Sequence, residues 1–244
     1  MTRPIVAAAA TGALIGATAA LWAFPSRAVA SAPACDNIDI GHYNTAATDN
    51  TSYDAHHGMR VASPGMYIYN YDAVCIHTSS IGSVDQSGEN VEVGWEDTKA
   101  GLYYEEQQCH WTGDDTPHIF RAKIRNGTYY CTVYGQLTPT QSDGFGVADQ
   151  NGDSAWTFTH NGATLGDNPV QMDFSLGSNR TNGERFNTND SAHALFNGLY
   201  YMATDGWHSW TRSQCYTASS DDPGFNNQLL SATEVQVTTA APQC

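Results

Sequence analysis

Two glutamates carry most of the chemistry in this 244-residue sequence: Glu92, in Asn90-Val91-Glu92-Val93-Gly94-Trp95, and Glu184, in Thr181-Asn182-Gly183-Glu184-Arg185-Phe186-Asn187. A pair of carboxyl groups can take a proton from water and give one to a substrate without metal or covalent intermediate. Held close together they cannot both ionise cheaply, so one keeps its proton and such a pair works best in acid. Other hydrolytic chemistries lack their signatures, since neither a G-x-S-x-G elbow nor H-E-x-x-H occurs. On pattern alone each glutamate also has a plainer reading, Glu92 as the polar position of a half-solvated strand and Glu184 as an ordinary hairpin residue.

The segment around Glu92 reads as a strand. Side chains alternate along a strand, so Val91, Val93 and Trp95 line a core while Glu92 and Gly94 share the opposite face. Gly94 leaves room beside the carboxylate for a backbone or a ligand. From Met66 onward, short runs rich in Tyr, Val, Ile, Thr and Trp are bounded by Gly, Asn, Asp or Pro. Asn-Gly, the dipeptide of tight hairpin turns, begins at 126, 151, 161, 182 and 197, and Ser87-Gly88, Asp143-Gly144 and Asp205-Gly206 add to it. The clearest hairpin joins Ile119–Arg125 to Thr128–Tyr134, and Trp156–His160 before Asn161-Gly162 is a second. No segment sustains a helical period, so the expected fold is all-β, an antiparallel two-sheet β-sandwich stabilised by disulfides, with a closed barrel as the alternative.

Residues 1–30 read as a secretory signal, an alanine-rich leader of bacterial type with Ala28-Val29-Ala30 before the expected cleavage site. Residues 31–64 read as an irregular N-terminal arm and 65–244 as one domain. Adjacent histidines do not face one way, so His56 and His57 read as loop residues rather than metal ligands. Losing Arg3 and Arg27 with the leader reduces the ten basic residues to eight against 25 acidic ones, a net charge of −17 in place of −15. Such a surface makes nucleic acid and anionic membranes poor partners. The six cysteines, Cys35, Cys75, Cys109, Cys131, Cys215 and Cys244, all follow the leader and predict three disulfides. Cys109 with Cys131 is the pair a hairpin could bring together. Their wide spacing is not that of a zinc site, and Asp149-Gln150-Asn151-Gly152-Asp153 lacks the remaining ligands of a calcium loop and reads as a turn. No metal or cofactor is therefore expected.

Several segments together resemble the neprosin-type glutamic peptidases. Ser79-Ser80-Ile81 followed by Asn90-Val91-Glu92-Val93-Gly94-Trp95 is similar to that family's strand pair ending in Glu-[Ala/Val]-Gly-Trp. Thr116-Pro117-His118-Ile119-Phe120 and Asn126-Gly127-Thr128-Tyr129-Tyr130-Cys131 resemble two further segments, and Gly183-Glu184 with Asn187 resembles its Gly-Gly-Glu-x-x-Asn. The resemblance spans about Met66 to Leu199. It implies a secreted antiparallel sandwich that cleaves a peptide or protein substrate in acid, with Glu92 and Glu184 as the catalytic pair. Gly94, Trp95 and Gly183, beside those carboxylates, become the candidate substrate contacts. The competing expectation is a non-catalytic secreted sandwich that binds polysaccharide or a cell-surface partner. Trp207 and Trp210 would then serve as aromatic platforms rather than as packing residues.

Overall fold

Turn residues at positive φ punctuate a chain whose described part is otherwise extended. The computed structural model describes residues 57–73, 75–104, 109–139, 141–185, 191–203, 205–209, 216–217, 226–231 and 234–238. The expected signal, most of the arm, Cys35, Cys215, Cys244 and Trp210 lie outside them. In chain order the strands are β1 His57–Gly58, β2 Arg60–Asp72, β3 Ile76–Val84, β4 Asn90–Thr98, β5 Tyr103–Tyr104, β6 Trp111–Thr112, β7 His118–Arg125, β8 Thr128–Gln136, β9 Asp143–Asp149 and β10 Ala155–His160. They continue as β11 Ala163–Thr164, β12 Val170–Gln171, β13 Gly177–Arg185, β14 Ser191–Asn197, β15 Tyr200–Ala203, β16 Gly206–Ser209, β17 Tyr216–Thr217, β18 Asn226–Ser231 and β19 Glu234–Thr238.

Apart from a separate β5-β6 pair, these strands form two antiparallel sheets, as the sequence predicts, and no helix occurs among the described residues. One sheet runs β1-β13-β3-β4-β7-β8, and the other runs β11-β10-β9-β2-β14-β19-β18-β17 with β12, β15 and β16 beside that path. Between them lies one core. Ile81, Val91, Val93, Trp95 and Ile119 of the first sheet pack with Val61, Met66, Phe145, Trp156, Phe158 and Phe196 of the second. Fully burying side chains of this size contributes about 1.5–3 kcal/mol each, so the core rather than strand propensity holds the sheets together.

The expected hairpins form. Arg125 pairs with Thr128 across Asn126 (φ 52°) and Gly127 (φ 71°), and His160 pairs with Ala163 across Asn161 (φ 49°) and Gly162 (φ 78°). The calcium-like segment is a turn, because the Asp149 carboxylate is occupied by backbone N–H groups. Oδ1 accepts from Asn151, Gly152 and Asp153, and Oδ2 from Ser154.

Three expectations need correcting. The arm does not extend to Pro64, since β2 begins at Arg60; its pattern is broken by Pro64-Gly65, where the register with β9 shifts between Ser63 and Met66. A bulge tolerates proline because the ladder bond is already lost there. Asn182-Gly183 and Asp143-Gly144 lie within β13 and β9 rather than in turns, so tertiary pairing has overridden the local turn preference. Asn197-Gly198 carries the positive φ, 67° at Gly198, but links β14 to β15, which both pair with β2, instead of closing a hairpin between them.

The chain from Lys99 to Pro117 leaves the sheet, forms the β5-β6 pair, and is tied back by the Cys109–Cys131 disulfide. Cys109 and Cys131 pack with Cys75, Ile76, Leu102 and Val133 in a second apolar cluster. The link closes a span of 22 residues. Replacing both cysteines by alanine should lower unfolding free energy by about 2–4 kcal/mol, read from the urea midpoint.

Candidate active site

The β3-β4 hairpin decides what surrounds Glu92. Its turn is fixed by Asp85 Oδ1, which accepts from the backbone N–H groups of Ser87 and Glu89, each at 2.9 Å, while Gly88 takes the positive φ of 87°. Counted from that turn, Gly82 falls opposite Glu92 and Ser80 opposite Gly94. Ser80 and Glu92 are therefore diagonal neighbours on one face, and Ser80 Oγ donates to Glu92 Oε2 at 2.7 Å. That face points away from the core shared by the two sheets, yet Glu92 is only 3% exposed.

The glycines beside it serve the backbone. A Cβ on Gly94 would collide with the Ser79 carbonyl oxygen and lie 2.6 Å from Ser80 Cα, and one on Gly82 would collide with the Val91 carbonyl oxygen. The space expected beside the carboxylate is thus taken by β3, and Gly94 sets how closely the two strands approach.

Directly paired residues share a face, so the register draws rows across the outer side of the sheet. One row is Arg180–Gly82–Glu92–Ala122, the next Asn182–Ser80–Gly94–Phe120, and the next Glu184–Thr78–Glu96–His118. Glu184 lies on the face of Glu92, but level with Glu96. Two strands and four residues separate Glu92 from Glu184, a Cα distance of roughly 16 Å on standard strand spacings. Glu96 lies roughly 13 Å from Glu92 along the strand and roughly 10 Å from Glu184 across it.

Two of the proposed substrate contacts fall on the other side. Trp95 is fully buried in the inter-sheet core, and Gly183 pairs with Ser79 in the row of Trp95. Adjacency in a motif is the reason for the miss, since neighbours along a strand face opposite ways. Arg185 pairs with His77, one step out of phase with Glu184. The competing aromatic site is split: Trp207 is 52% exposed rather than packed, and Trp210 lies outside the described residues.

Sequence reasoning overlooked Glu96 and Arg180. The signal for Glu96 is the same alternation that exposes Glu92, because Asn90, Glu92, Gly94, Glu96 and Thr98 share one face of β4. All five are buried. Both carboxyl oxygens of Glu96, Asn90 Oδ1 and Thr98 Oγ1 find no hydrogen-bond partner among the described residues. Each such atom costs about 1–3 kcal/mol, which a strand selected for stability alone would avoid with apolar residues. Burial pushes the Glu96 carboxyl up to about 8, and the neighbouring Asp97 charge adds to the shift. At the same end of the face Trp111 of β6 lies against His118, with ring centroids 4.6 Å apart. Arg180, 9% exposed, shares the row of Glu92 with only Gly82 between them.

No protein-family model matches the chain, and no curated protein matches it. Among solved structures it is similar to the CBM40 domain of the Ruminococcus gnavus IT-sialidase, bound to α2,6-sialyllactose, with a TM-score of 0.27 and 11% sequence identity over 84% of this chain and 94% of that one.

Two buried titratable groups at this end of the sheet, Glu96 and His77, give stability a signed pH profile. Glu96, raised to about 8 from 4.5, favours the folded state most below pH 4.5 and loses that contribution as pH rises through 8. His77, on the core side edge-on to Trp95, is lowered to about 3 from 6.5 by burial; its contribution is complete above 6.5 and is lost as pH falls through 3. The two cancel between about 4.5 and 6.5 and decline on either side. Glu96→Gln should remove the alkaline decline, a slope difference of about 1.4 kcal/mol per pH unit between pH 6.5 and 8 in urea titrations.

Proposed function

We propose that this chain is a secreted, acid-active glutamic peptidase of neprosin type, which hydrolyses peptide bonds on the outer face of the six-stranded sheet with Glu92 as general base. The observation that carries this reading is the strip of buried polar groups along β4. There a carboxylate that accepts from Ser80 and a carboxyl with no partner among the described residues stand four residues apart on one face.

The resemblance pairs Glu92 with Glu184, roughly 16 Å away by Cα, and Glu96, roughly 13 Å away on the same strand, is the alternative proton donor. Its burial keeps the proton on at the pH where Glu92 must accept one. In the proposed cycle a water oxygen bonds to the peptide carbonyl carbon as its proton passes to Glu92, and Glu96 protonates the carbonyl oxygen. The carbon–nitrogen bond then breaks, Glu92 gives its proton to the leaving nitrogen, and the hydroxyl proton returns to Glu96. Both carboxyl groups end as they began. Arg180, in the row of Glu92, supplies a cation beside the charge that develops. No substrate pocket for a particular side chain is assigned.

A second reading, glycan binding without catalysis, draws on Trp207 at 52% and Tyr200 at 41% exposure in the β15-β16 hairpin. Exposed aromatic rings of this kind suit the apolar faces of sugars.

Digestion of a denatured protein mixture from pH 3 to pH 7 tests the peptidase. Glu92→Gln and Glu96→Gln should each lower the acid rate by about 10² or more while remaining folded by circular dichroism. Loss in Glu184→Gln with Glu96→Gln unaffected would return the donor role to Glu184. A folded Glu92→Gln variant with full activity would overturn the peptidase reading, and glycan-array binding without cleavage would favour the second.

A further inference from the structure

The expected mature chain has eight basic residues, and three of them stand at alternate positions of one strand: Arg121, Lys123 and Arg125 of β7. Lys123 pairs with Val91 and Arg121 with Val93, so these cations take up the side of the sheet that elsewhere forms the core. They lie at its margin, where β7 and the edge strand β8 face β10 and β12 of the second sheet. Such positions are ordinarily apolar, because burying a cation costs free energy unless it is paired.

Their partners differ. Arg125 Nη2 is bonded to Asp173 Oδ1 at 2.7 Å. The Arg121 guanidinium lies 5.5 Å from the Phe158 ring centroid and 5.7 Å from that of Tyr134, with Nη1 donating to the Leu165 carbonyl oxygen at 2.8 Å. Among the described residues Lys123 has the Tyr130 ring, 5.1 Å from Nζ, and no carboxylate partner, although the chain carries 25 acidic residues. Burial lowers its pKa, and the charges of Arg125 and Arg121 lower it further. The Tyr134 hydroxyl, beside Arg121, is also buried, with no partner among the described residues.

Lys123 and Arg121 line a cavity of about 140 Å³, with Tyr130 and Thr132 from β8, Phe158 and Val170 completing it. It combines two cations that pair with no carboxylate among the described residues, a hydroxyl, and aromatic and aliphatic surface. Its volume admits a carboxylate with a short carbon body, not an extended chain. We infer that this cavity at the margin of the sandwich is a binding site for a carboxylate-bearing ligand, with Lys123 and Arg121 holding the anion. The same chemistry is presented by a uronic acid sugar and by an acidic side chain of a peptide. The inference is independent of the peptidase reading, since the site shares no catalytic residue with it.

Titration of the 15N-labelled mature protein with D-galacturonate and with N-acetyl-L-glutamate, against galactose and N-acetyl-L-glutamine as uncharged controls, tests the site. The acids should shift amide resonances of residues 121–132 saturably, and the uncharged controls should not. Lys123→Met should weaken binding at least tenfold with an unchanged circular dichroism spectrum, while Lys123→Arg should keep it within a few-fold. Saturation by the sugar acid alone makes the natural ligand an acidic glycan, by the amino acid alone an acidic peptide, and by both a general carboxylate site. Absence of binding by either acid, or unchanged affinity in Lys123→Met, would overturn the proposal.

Discussion

The close approach of β3 to β4 is the constraint on which the rest of this molecule depends. Gly82 and Gly94 have no room for a side chain, and the turn around Asp85 leaves one register open to the hairpin. That register puts Ser80 diagonal to Glu92, and through β3 it also fixes β13, so that Arg180 falls in the row of Glu92 and Glu184 in the row of Glu96. A slip of one residue would send Glu92 into the core and Trp95 out of it. Large apolar side chains on the inner face make that slip prohibitive, and the position of the outer carboxyls follows from the packing of Val91, Val93 and Trp95.

Charge is distributed unevenly around this frame. The chain is strongly acidic, yet its central strands bury carboxyl groups on one side and its β7 margin gathers cations on the other. Both arrangements oppose stability. A carboxyl without a partner adapts by holding its proton, as Glu96 does, and a lysine between two arginines adapts by releasing one more readily. Groups held under such conditions concentrate at sites that do chemistry or bind ligands, because stability alone gives no reason to keep them. The two sites lie on different faces of one sheet.

Much of the fold is legible locally. Alternation in Asn90–Thr98, the Asn126-Gly127 and Asn161-Gly162 turns, and the pairing of Cys109 with Cys131 all follow from short-range pattern, and the structure carries each of them. Local signals failed where long-range pairing competed with them. Asn182-Gly183 has the composition of a turn but is held in β13 by β3, and Pro64-Gly65 looks like the end of an arm but sits at a bulge inside β2.

The sequence by itself determined that this is an antiparallel β protein and that Glu92 faces away from the residues that build its core, because side-chain direction along a strand repeats every two residues and needs no partner to specify it. Only the tertiary structure decided which residues stand beside Glu92. The offset between β4 and β13 passes through β3 and depends on glycine contacts and core packing among residues far apart in the chain, so it placed Glu184 level with Glu96. Burial is likewise a property of the assembled sheets. It turned Glu96 into an unpaired carboxyl and left Lys123 in a cavity, neither of which any short stretch of sequence encodes.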